Sequence, residues 1–400
     1  MNLKNKKLLI ISYHYPSEGG ADYSGQFVKS QADEISNHFK YVNVIVPTPY
    51  VPCFLKNFKF IFPKKYYYLY NSIFLKNYSY KNISVHYVHQ LVPYRFFKFL
   101  FPIYKKIINY IKFNKIDFDL IHAHFLFSGI IANKINNHFN KPYVITIQEN
   151  RQSFKKSINS NNPSIISALK NASYLIRVNK KDLEDLKIYN KNLINIENTY
   201  PNYCYPMKNK LTLKNKLKVP VNKKIILNVA NYLIWHKNQL NLIYAINILK
   251  DIRQDFILYL IGRGKDELII KNKIKELGLD NYIKLLGPKK NTDVPIWMNI
   301  SDLFVLPSYF EGNPTVLFES LACGIPFIGS KIAGGMEEII TSDDFGFILD
   351  DPNNFKNLAE LINISLDKKW NTIKIRHHAL KYSPKNICKK NLKIYSEVLK

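Results

Sequence analysis

The sequence predicts an α/β fold with two doubly wound parallel sheets, one in each half of the chain. Short apolar runs alternate with amphipathic segments along most of the 400 residues, a pattern typical of parallel strands joined by crossover helices. A segment rich in proline, asparagine and lysine, 198–224, interrupts this alternation, and the same pattern then restarts. We therefore expect a first domain over 1–205, a linker over 206–223 and a second domain over 224–383.

Seven strands are expected in the first domain and six in the second. Those of the first are KLLIIS, VNVIVP, ISVHYV, DLIHAH, YVITIQ, YLIRV and LINIE; those of the second are KIILNVA, FILYLIG, YIKLLG, LFVLPS, PFIGS and FGFIL. Sheets of this kind bind ligands at the carboxyl ends of their strands, so a cleft between the domains is the expected binding site. The last segment, 384–400, is expected to form a helix that packs back on the first domain.

The cysteines and the apolar runs predict a cytoplasmic protein. Cys53, Cys204, Cys323 and Cys388 are far apart and match no metal-ligand spacing, which indicates reduced structural thiols. The N-terminal residues contain only about five apolar positions together, which favours a buried first strand over a signal or transmembrane segment. No run of 18 uncharged apolar residues follows.

The net charge is +28, and the acidic residues that offset the lysines and arginines are unevenly distributed along the chain. Between residues 35 and 116 there is no Asp or Glu, while thirteen Lys and Arg lie among aromatic clusters at 53–82 and 94–115. A basic, aromatic and amphipathic surface suits an anionic membrane, where each Lys contributes about 1 kcal/mol. A solvated basic face shaped by codon usage and a nucleic-acid surface are the alternatives. We predict peripheral association with the inner face of the plasma membrane and no nucleic-acid partner.

The stretch PSYFEGNPTVLFESLACGIPFIGS contains two glutamates, Glu311 and Glu319, eight positions apart. Asn313 is a good N-cap and Pro314 suits a first helical position, so a helix is predicted from Pro314 to about Cys323. Glu311 precedes this helix, and Glu319 lies about 7 to 8 Å along it. Because a helix N-terminus attracts anions, a carboxylate on each side of it suits a ligand made of sugar, phosphate and sugar. An ordinary amphipathic helix with one exposed Glu is the alternative.

Residues 259–340 resemble glycosyltransferase family 4 almost continuously. The likeness includes Gly262 and Gly264, the LLG strand, SDLFVLPS, the Glu-x7-Glu pair and ACGIPFIGS. In the first half it is weaker but in order, through EGGADYSGQF, DFDLIHAHF and PYVIT. The resemblance implies the GT-B fold of two facing Rossmann-like domains. It also implies retaining transfer of a sugar from a nucleotide-diphosphate donor, of UDP or GDP type, without a cofactor or bound metal.

The resemblance gives roles to the residues of the donor site. Glu319 is expected to accept hydrogen bonds from ribose hydroxyls, worth about 1.5 to 3 kcal/mol. Glu311 is expected to lie beside the donor sugar and stabilise an oxocarbenium-like transition state. The backbone N–H groups of Thr315 and Val316 are expected to face the diphosphate. The other expected donor-binding residues are Gly312, Asn313, Gly262, Arg263 and Asn231.

A cation must neutralise the leaving group if no metal does so. Lys237 in NVANYLIWHKNQ aligns with the lysine that has this role in the family, and it is expected to open a helix; an ordinary solvated lysine is the alternative. The accompanying arginine of the family is missing, since Asn231 or Tyr232 occupies its region. Arg263 is a hypothetical substitute, because its flanking glycines let the backbone approach the cleft.

The acceptor side departs further from the family pattern. His124 ends a strand at the cleft. It either contacts the acceptor or is a core histidine whose hydrogen bonds are satisfied within the protein. Gln148 stands where the family has a histidine, and glutamine cannot take a proton. Either Glu149 or the leaving phosphate would then act as base. Gly19 and Gly20 follow the first strand. Their backbone either approaches the donor or acceptor as a second binding surface or simply forms a turn.

These observations together predict a retaining glycosyltransferase with its donor site mostly in the second domain. The expected acceptor is a saccharide, lipid-linked, for cell-surface polysaccharide or lipopolysaccharide. A catalytically inactive sugar-nucleotide-binding member is the alternative, motivated by Gln148 and the missing arginine. A GT-B epimerase or phosphorylase is a further alternative among enzymes.

Overall fold

The computed structural model describes residues 2–18, 25–50, 74–91, 103–331 and 334–400. The predicted loop at Gly19 and Gly20 lies outside the described residues, as do Cys53 and most of the two basic aromatic clusters. The other three cysteines are buried free thiols, consistent with the predicted reduced state.

The first domain is built on an eight-stranded sheet. Its strands are β1 (Lys7–Ile11), β2 (Tyr41–Tyr50), β3 (Tyr78–Tyr80), β4 (Ile83–Leu91), β5 (Leu120–His124), β6 (Tyr143–Ile147), β7 (Tyr174–Arg177) and β8 (Leu193–Asn195). Their spatial order is β3-β4-β2-β1-β5-β6-β7-β8, and all neighbours are parallel except β3 with β4. The seven predicted strands are all present, and the short edge strand β3 is the one that the sequence pattern missed.

Helices cover both faces of this sheet. They are α1 (Gln26–Ile35), α2 (Ile103–Phe113), α3 (Leu126–Phe139), α4 (Arg151–Asn159), α5 (Pro163–Asn171) and α6 (Glu184–Lys187). Successive residues of a strand point to opposite faces. Leu9 and Ile11 of β1 accordingly pack in one buried cluster with Ile107, while Leu8 and Ile10 pack in another with residues of α1. A sheet buried on both faces explains why its central strands are continuous apolar runs.

The second domain has six parallel strands in the order β11-β10-β9-β12-β13-β14. The strands are β9 (Lys224–Val229), β10 (Phe256–Ile261), β11 (Ile283–Gly287), β12 (Leu303–Leu306), β13 (Phe327–Ser330) and β14 (Gly346–Leu349). Its helices are α7 (Lys210–Lys216), α8 (Ile234–Lys237), α9 (Gln239–Ile252), α10 (Glu267–Glu276), α11 (Val294–Ile300), α12 (Thr315–Ala322), α13 (Met336–Ile339), α14 (Phe355–Asp367) and α15 (Thr372–Ala379). The strand order reverses between β9 and β12, so the crevice at their carboxyl ends is the topological switch point where such sheets bind ligands.

The segment predicted as a linker, 206–223, is largely structured. It contains α7; Leu213 of this helix and Leu217 just after it pack against the core of the second domain. The ammonium of Lys210 lies 2.8 Å from a carboxylate oxygen of Asp302. The linker therefore joins the second domain, because apolar residues spaced four apart within the polar run give this helix a buried side.

The C-terminal helix α16 (Pro384–Val398) lies on the first domain. Ser383 caps it by accepting the N–H of Asn386, and Pro384 occupies its first turn. Tyr395 is fully buried, and its hydroxyl is 2.6 Å from Nδ1 of His122 on β5. The chain thus ends on the domain in which it began.

Helix α2 uses its apolar side inside the protein. Ile103, Ile107 and Ile111 are buried in the core of the first domain, while Lys105 and Lys106 are exposed. Internal packing thus accounts for the apolar stripe that the sequence pattern assigned to a membrane surface. Among the described residues, none of the helices is both long enough and apolar enough to span a bilayer.

Candidate functional site

Lys237 and Glu311 come from the segments that follow the two strands at the switch point. Lys237 ends α8 rather than opening a helix as predicted, because Asn238 adopts φ 57° and ψ 37° and separates α8 from α9. The Asn238 amide donates to the carbonyls of Pro307 and Pro352 at 3.0 and 2.7 Å, which holds this break in place. Nζ of Lys237 lies 2.6 Å from Oε1 of Glu311.

This ion pair is largely removed from water, with side-chain exposures of 15% for Lys237 and 8% for Glu311. Each partner offsets the cost of burying the other, so removing either one would leave an uncompensated charge. The backbone of Glu311 lies directly against Gly334, which has φ +72°. A Cβ at Gly334 would lie 2.0 Å from the Glu311 carbonyl oxygen, so only glycine fits there.

Helix α12 begins at Thr315, one residue later than predicted. Pro314 is the N-cap, with φ −69° and ψ 118°, and no side chain caps the helix. Asn313 does not cap the helix, because its Oδ1 accepts the backbone N–H of Asn198 from the first domain at 2.8 Å. The first backbone N–H groups, those of Thr315 and Val316, therefore begin a helix that a ligand anion can cap.

Glu319 lies one turn into α12, partly buried. Burial raises its pKa to about 7, because the ionised carboxylate loses solvation there. Burial also raises the pKa values of the neighbouring Tyr203 and, together with contact with Cys323, of Cys204. A strongly shifted carboxyl at a ligand-binding edge is a candidate binding group.

The loops after β9 and β10 pack directly on each other. A Cβ at Gly262, which has φ +153°, would lie 1.9 Å from a carbonyl oxygen of the first loop, and one at Gly264 would lie 2.2 Å from the Tyr232 carbonyl oxygen. The N–H of Tyr232 also donates to the carbonyl of Arg263 at 2.9 Å. Asn231 and Arg263 are therefore exposed on adjacent backbone segments at the carboxyl ends of the strands.

His124 is buried at the end of β5, with its ring stacked on His122 at 4.3 Å between centroids. Burial lowers the pKa of His124 to about 3, although Gln148 beside it acts in the opposite direction. His122 is held by the hydroxyl of Thr146 at 2.7 Å and by Tyr395. Both rings are neutral near pH 7. Both nitrogens of His122 are hydrogen-bonded, whereas Nδ1 of His124 is buried without a hydrogen-bond partner in the described part of the chain.

Both carboxylate oxygens of Glu149 accept backbone N–H groups. One is 2.7 Å from the nitrogen of Leu126, the first residue of α3, and the other is 3.1 Å from the nitrogen of Gln148. Burial raises the pKa of Glu149, and these amides oppose the rise. The position predicted for a substitute base thus caps a helix and fixes the turn after β6.

Arg177 is a functional candidate that the sequence reasoning missed. It is fully buried at the end of β7, where it bonds Asp182 and donates to the carbonyls of Ile147 and Glu149 at 2.8 Å. Arg177 thus joins Asp182, in the segment after β7, to the turn after β6, and a buried arginine that connects two segments in this way is an organising group. Its signal was available, since an arginine ends the otherwise apolar run YLIR.

The two domains meet at Glu338, which follows the Gly-Gly loop. Its carboxylate oxygens accept the backbone N–H groups of Lys180 and Lys181 at 3.0 and 3.1 Å. An interdomain cavity of 390 Å³ lies beside this contact, lined by Arg151, Asn179, Lys181, Asp182, Lys331, Gly334, Gly335 and Glu337. Its size is within the range of small-molecule sites. Among the residues that the structure describes, no group of His, Cys, Asp and Glu is placed to hold a metal ion.

Comparison with known proteins adds the family to this geometry. The family profile described as Glycosyl transferases group 1 matches residues 209–386. A glycosyltransferase of Methanocaldococcus jannaschii, described as uncharacterized, is 30% identical over 293 residues, which are 71% of this chain and 75% of that protein. An N-acetylgalactosamine-N,N'-diacetylbacillosaminyl-diphospho-undecaprenol 4-alpha-N-acetylgalactosaminyltransferase of Campylobacter jejuni is 29% identical over 284 residues, 64% of this chain and 72% of that protein.

The fold is also that of solved glycosyltransferase structures. The crystal structure of Anabaena HepE in complex with UDP matches 98% of this chain and 100% of that chain, with a TM-score of 0.71 at 18% identity. The two facing parallel-sheet domains are the GT-B fold that the sequence predicted. The chain belongs to the group 1 glycosyltransferases.

Proposed function

We propose that this glycosyltransferase moves a sugar from a nucleotide-diphosphate donor to a saccharide acceptor with retention at the anomeric carbon. The observation that carries the proposal is the Lys237–Glu311 pair, 2.6 Å apart at the switch point and just ahead of the uncapped α12. One cation and one carboxylate fixed side by side suit a substrate whose anionic leaving group adjoins a sugar. The carbohydrate is thereby oriented by charge on both sides of the bond that breaks.

The donor would lie along the start of α12. The N–H groups of Thr315 and Val316 would bind the diphosphate, since backbone donors and the helix dipole both favour an anion there. Glu319 lies four residues beyond Thr315, about 6 Å along the helix axis, and would accept hydrogen bonds from the ribose hydroxyls. Asn231 and Arg263, on the adjacent loops, are the additional polar groups proposed for donor binding.

The reaction itself would depend on charge at the cleaving bond. The bond from the anomeric carbon to the diphosphate oxygen breaks, and Lys237 neutralises the negative charge that develops on the leaving group. Glu311 stabilises the positive charge that develops on the sugar ring. Together these two effects stabilise the separated charges of the transition state, whose high energy makes the uncatalysed reaction slow.

The proton of the acceptor hydroxyl would pass to the leaving diphosphate. Three features support this route over a side-chain base: Gln148 cannot take a proton, both oxygens of Glu149 are bound by amides, and burial lowers the pKa of His124 to about 3, which makes it a weak base. The new bond then forms on the face from which the diphosphate departs, which gives retention. Metal-independent catalysis is part of this proposal, since Lys237 supplies the positive charge.

We propose a lipid-linked saccharide as acceptor, in the synthesis of a cell-surface polysaccharide or lipopolysaccharide. The name of the Campylobacter relative specifies a diphospho-undecaprenol substrate, and the excess of positive charge in the first half suits an anionic membrane. The protein would work in the cytoplasm at the inner membrane surface. Sedimentation with anionic liposomes at low and high salt tests this location; no binding at low salt would remove it.

The donor can be identified by a thermal-shift screen with UDP, GDP, ADP and their sugars. A ligand at 100 times its dissociation constant stabilises the folded state by about 2.7 kcal/mol. UDP is the first probe, because the HepE structure contains it. Labelled sugar from the best donor is then offered to lipid extracts, with Glu311→Gln as the matched control. Transfer by the wild type alone supports the proposal, whereas donor binding without transfer favours a catalytically inactive sugar-nucleotide-binding protein.

A further inference from the structure

Two amide side chains of the first domain contact the loop that carries Glu311, and a third amide side chain bonds one of these two. Gln148, Asn179 and Asn198 follow β6, β7 and β8, which are neighbours in the sheet. The carboxyl ends of parallel strands meet at one edge, so the three amides reach the same place. We call these three side chains the amide clamp, and the loop, 311–313, the glutamate loop.

The amide clamp contacts mainly the backbone of the glutamate loop. Asn198 donates its N–H to Oδ1 of Asn313 and its Nδ2–H to the carbonyl of Asn313, both at 2.8 Å. Asn179 donates to the carbonyl of Gly312. Gln148 donates to Oδ1 of Asn198 at 3.3 Å, and a Cβ at Gly312 would lie 2.3 Å from the Gln148 carbonyl oxygen.

These contacts are shielded from water. Asn179, Asn198 and Asn313 are 2%, 4% and 6% exposed. A buried polar group that loses its partner has no solvent to replace it, so displacement of the glutamate loop breaks several hydrogen bonds without compensation. Because amides carry no formal charge, they hold the loop without placing another ion beside the ion pair.

Residues of the second domain also contact the loop. Gly334 abuts the Glu311 carbonyl and Lys237 binds the Glu311 carboxylate, both from the second domain. The first domain therefore supplies the other half of the support. Where the glutamate lies depends on contacts with both domains.

We propose that Gln148, Asn179 and Asn198 are positioning residues that set the location of Glu311 for sugar transfer. They act through the glutamate loop and touch neither donor nor acceptor. Gln148, at the position where the sequence pattern led us to look for a proton acceptor, works by orienting Asn198. This inference rests on the proposed function and adds that activity requires the first domain to hold the loop of the second.

The test compares Asn198→Ala with Asn190→Ala in the full-length chain. Asn190 is a suitable control, because its amide donates to the carbonyls of Leu169 and Ala172 within the first domain, at 3.0 and 2.7 Å. Three quantities are measured: hydrogen exchange of the peptide 310–316, affinity for UDP, and transfer of labelled sugar from the donor found in the thermal-shift screen.

Asn198→Ala is expected to speed exchange in 310–316 and to lower transfer about a hundredfold, the effect of displacing a reacting group by about 1 Å. UDP affinity should stay within about twofold, because α12 and Glu319 are untouched, and the pH profile of transfer should keep its shape. Asn190→Ala should lower the melting temperature without changing exchange in 310–316 or transfer. Gln148→Ala should lower transfer about tenfold, and the double variant with Asn198→Ala should add little.

Unchanged exchange and transfer in Asn198→Ala would overturn the proposal, as would an equal loss of UDP affinity and transfer. If that variant does not fold, Asn179→Ala takes its place with the same expectations. If the wild type transfers no sugar from any donor, the proposed function fails, while the exchange rates of 310–316 still decide whether the clamp holds the loop.

Discussion

The raised pKa of Glu319 predicts that donor affinity increases with pH. Ribose hydroxyls are donors, and the ionised carboxylate accepts their hydrogen bonds more strongly than the neutral acid does. With a pKa of about 7 in the free protein, about one-eleventh of the molecules are ionised at pH 6 and about ten-elevenths at pH 8. The donor should therefore bind about tenfold more tightly at pH 8 than at pH 6, provided that binding requires the ionised form.

The assay is isothermal titration calorimetry with the nucleotide sugar selected in the thermal-shift screen. The phosphates of a nucleotide sugar keep a constant charge over this range, unlike the terminal phosphate of free UDP. Tyr203 and Cys204, which face Glu319, have raised pKa values and stay neutral up to pH 8. Repeating the titration in buffers of different ionisation enthalpy should show about one proton released per donor bound at pH 6.

Glu319→Gln is the matched control, since it keeps the shape and removes the titration. This variant should bind the donor more weakly than the wild type at pH 8, and its donor affinity should not change between pH 6 and pH 8. If the donor affinity of the wild type were also the same at pH 6 and pH 8, the reasoning would be refuted. Glu319 would then titrate outside this pH range or lie away from the donor.

The same shift has a consequence for folding. A carboxyl whose pKa rises on folding costs stability above its folded pKa and costs nothing below its unfolded pKa. The rise of the pKa from 4.5 to about 7 means that Glu319 destabilises the folded state by at most about 3 kcal/mol. Because Glu319 is partly exposed, the actual destabilisation is smaller. Glu319→Gln should therefore unfold at a higher temperature than the wild type at pH 8, and the difference should vanish near pH 4.5.

Three further predictions concern the ion pair, the Gly-Gly loop and the C-terminal helix. Lys237→Ala should abolish transfer and lower the free energy of unfolding in urea by about 3 kcal/mol, since the facing carboxylate stays buried without a partner; a change below 1 kcal/mol would show that the pair is solvated. Gly334→Ala should lose transfer activity and several degrees of melting temperature, because the new Cβ would lie 2.0 Å from a carbonyl oxygen. The control is Gly278→Ala, where φ is +62° and the new Cβ would meet no atom within 4 Å. This variant should lose only about 1 kcal/mol of folding stability and keep its transfer activity. Tyr395→Phe should lower the free energy of unfolding by about 1 to 3 kcal/mol, because it leaves a buried histidine nitrogen unpaired. Tyr174→Phe loses an exposed hydrogen bond to Glu397 and should lower it by less than about 0.5 kcal/mol. Equal losses in the two variants would contradict the role given to burial.

The strands were readable because burial on both faces requires continuous apolar runs. Every predicted strand, from KLLIIS to FGFIL, is present in the structure, and among the described residues the edge strand at Tyr78–Tyr80 is the one that was missed. That strand is three residues long and half exposed, so it has neither the length nor the apolar character of the others. Hydrophobic patterning therefore predicts central strands well and edges poorly.

The ends of the helices near the site were harder to predict. Asn313 has the chemistry of an N-cap, yet Asn198 from the other domain binds its side chain. Lys237 was expected at the start of a helix and lies at the end of one, because Asn238 takes up a left-handed conformation held by distant carbonyls. In both cases a partner far along the chain overrides the local preference.

Local pattern was enough to establish two doubly wound domains, the switch-point cleft and the residue types around it, since apolar periodicity and the short Glu-containing motif are properties of neighbouring positions. Long-range folding had to supply the rest. The partners of these polar groups, such as Lys237 for Glu311, Asn198 for Asn313 and the backbone amide of Leu126 for Glu149, lie 23 to 115 positions away. Charge, burial and pKa depend on these distant partners, because electrostatic and desolvation energies follow distance in space rather than distance along the chain.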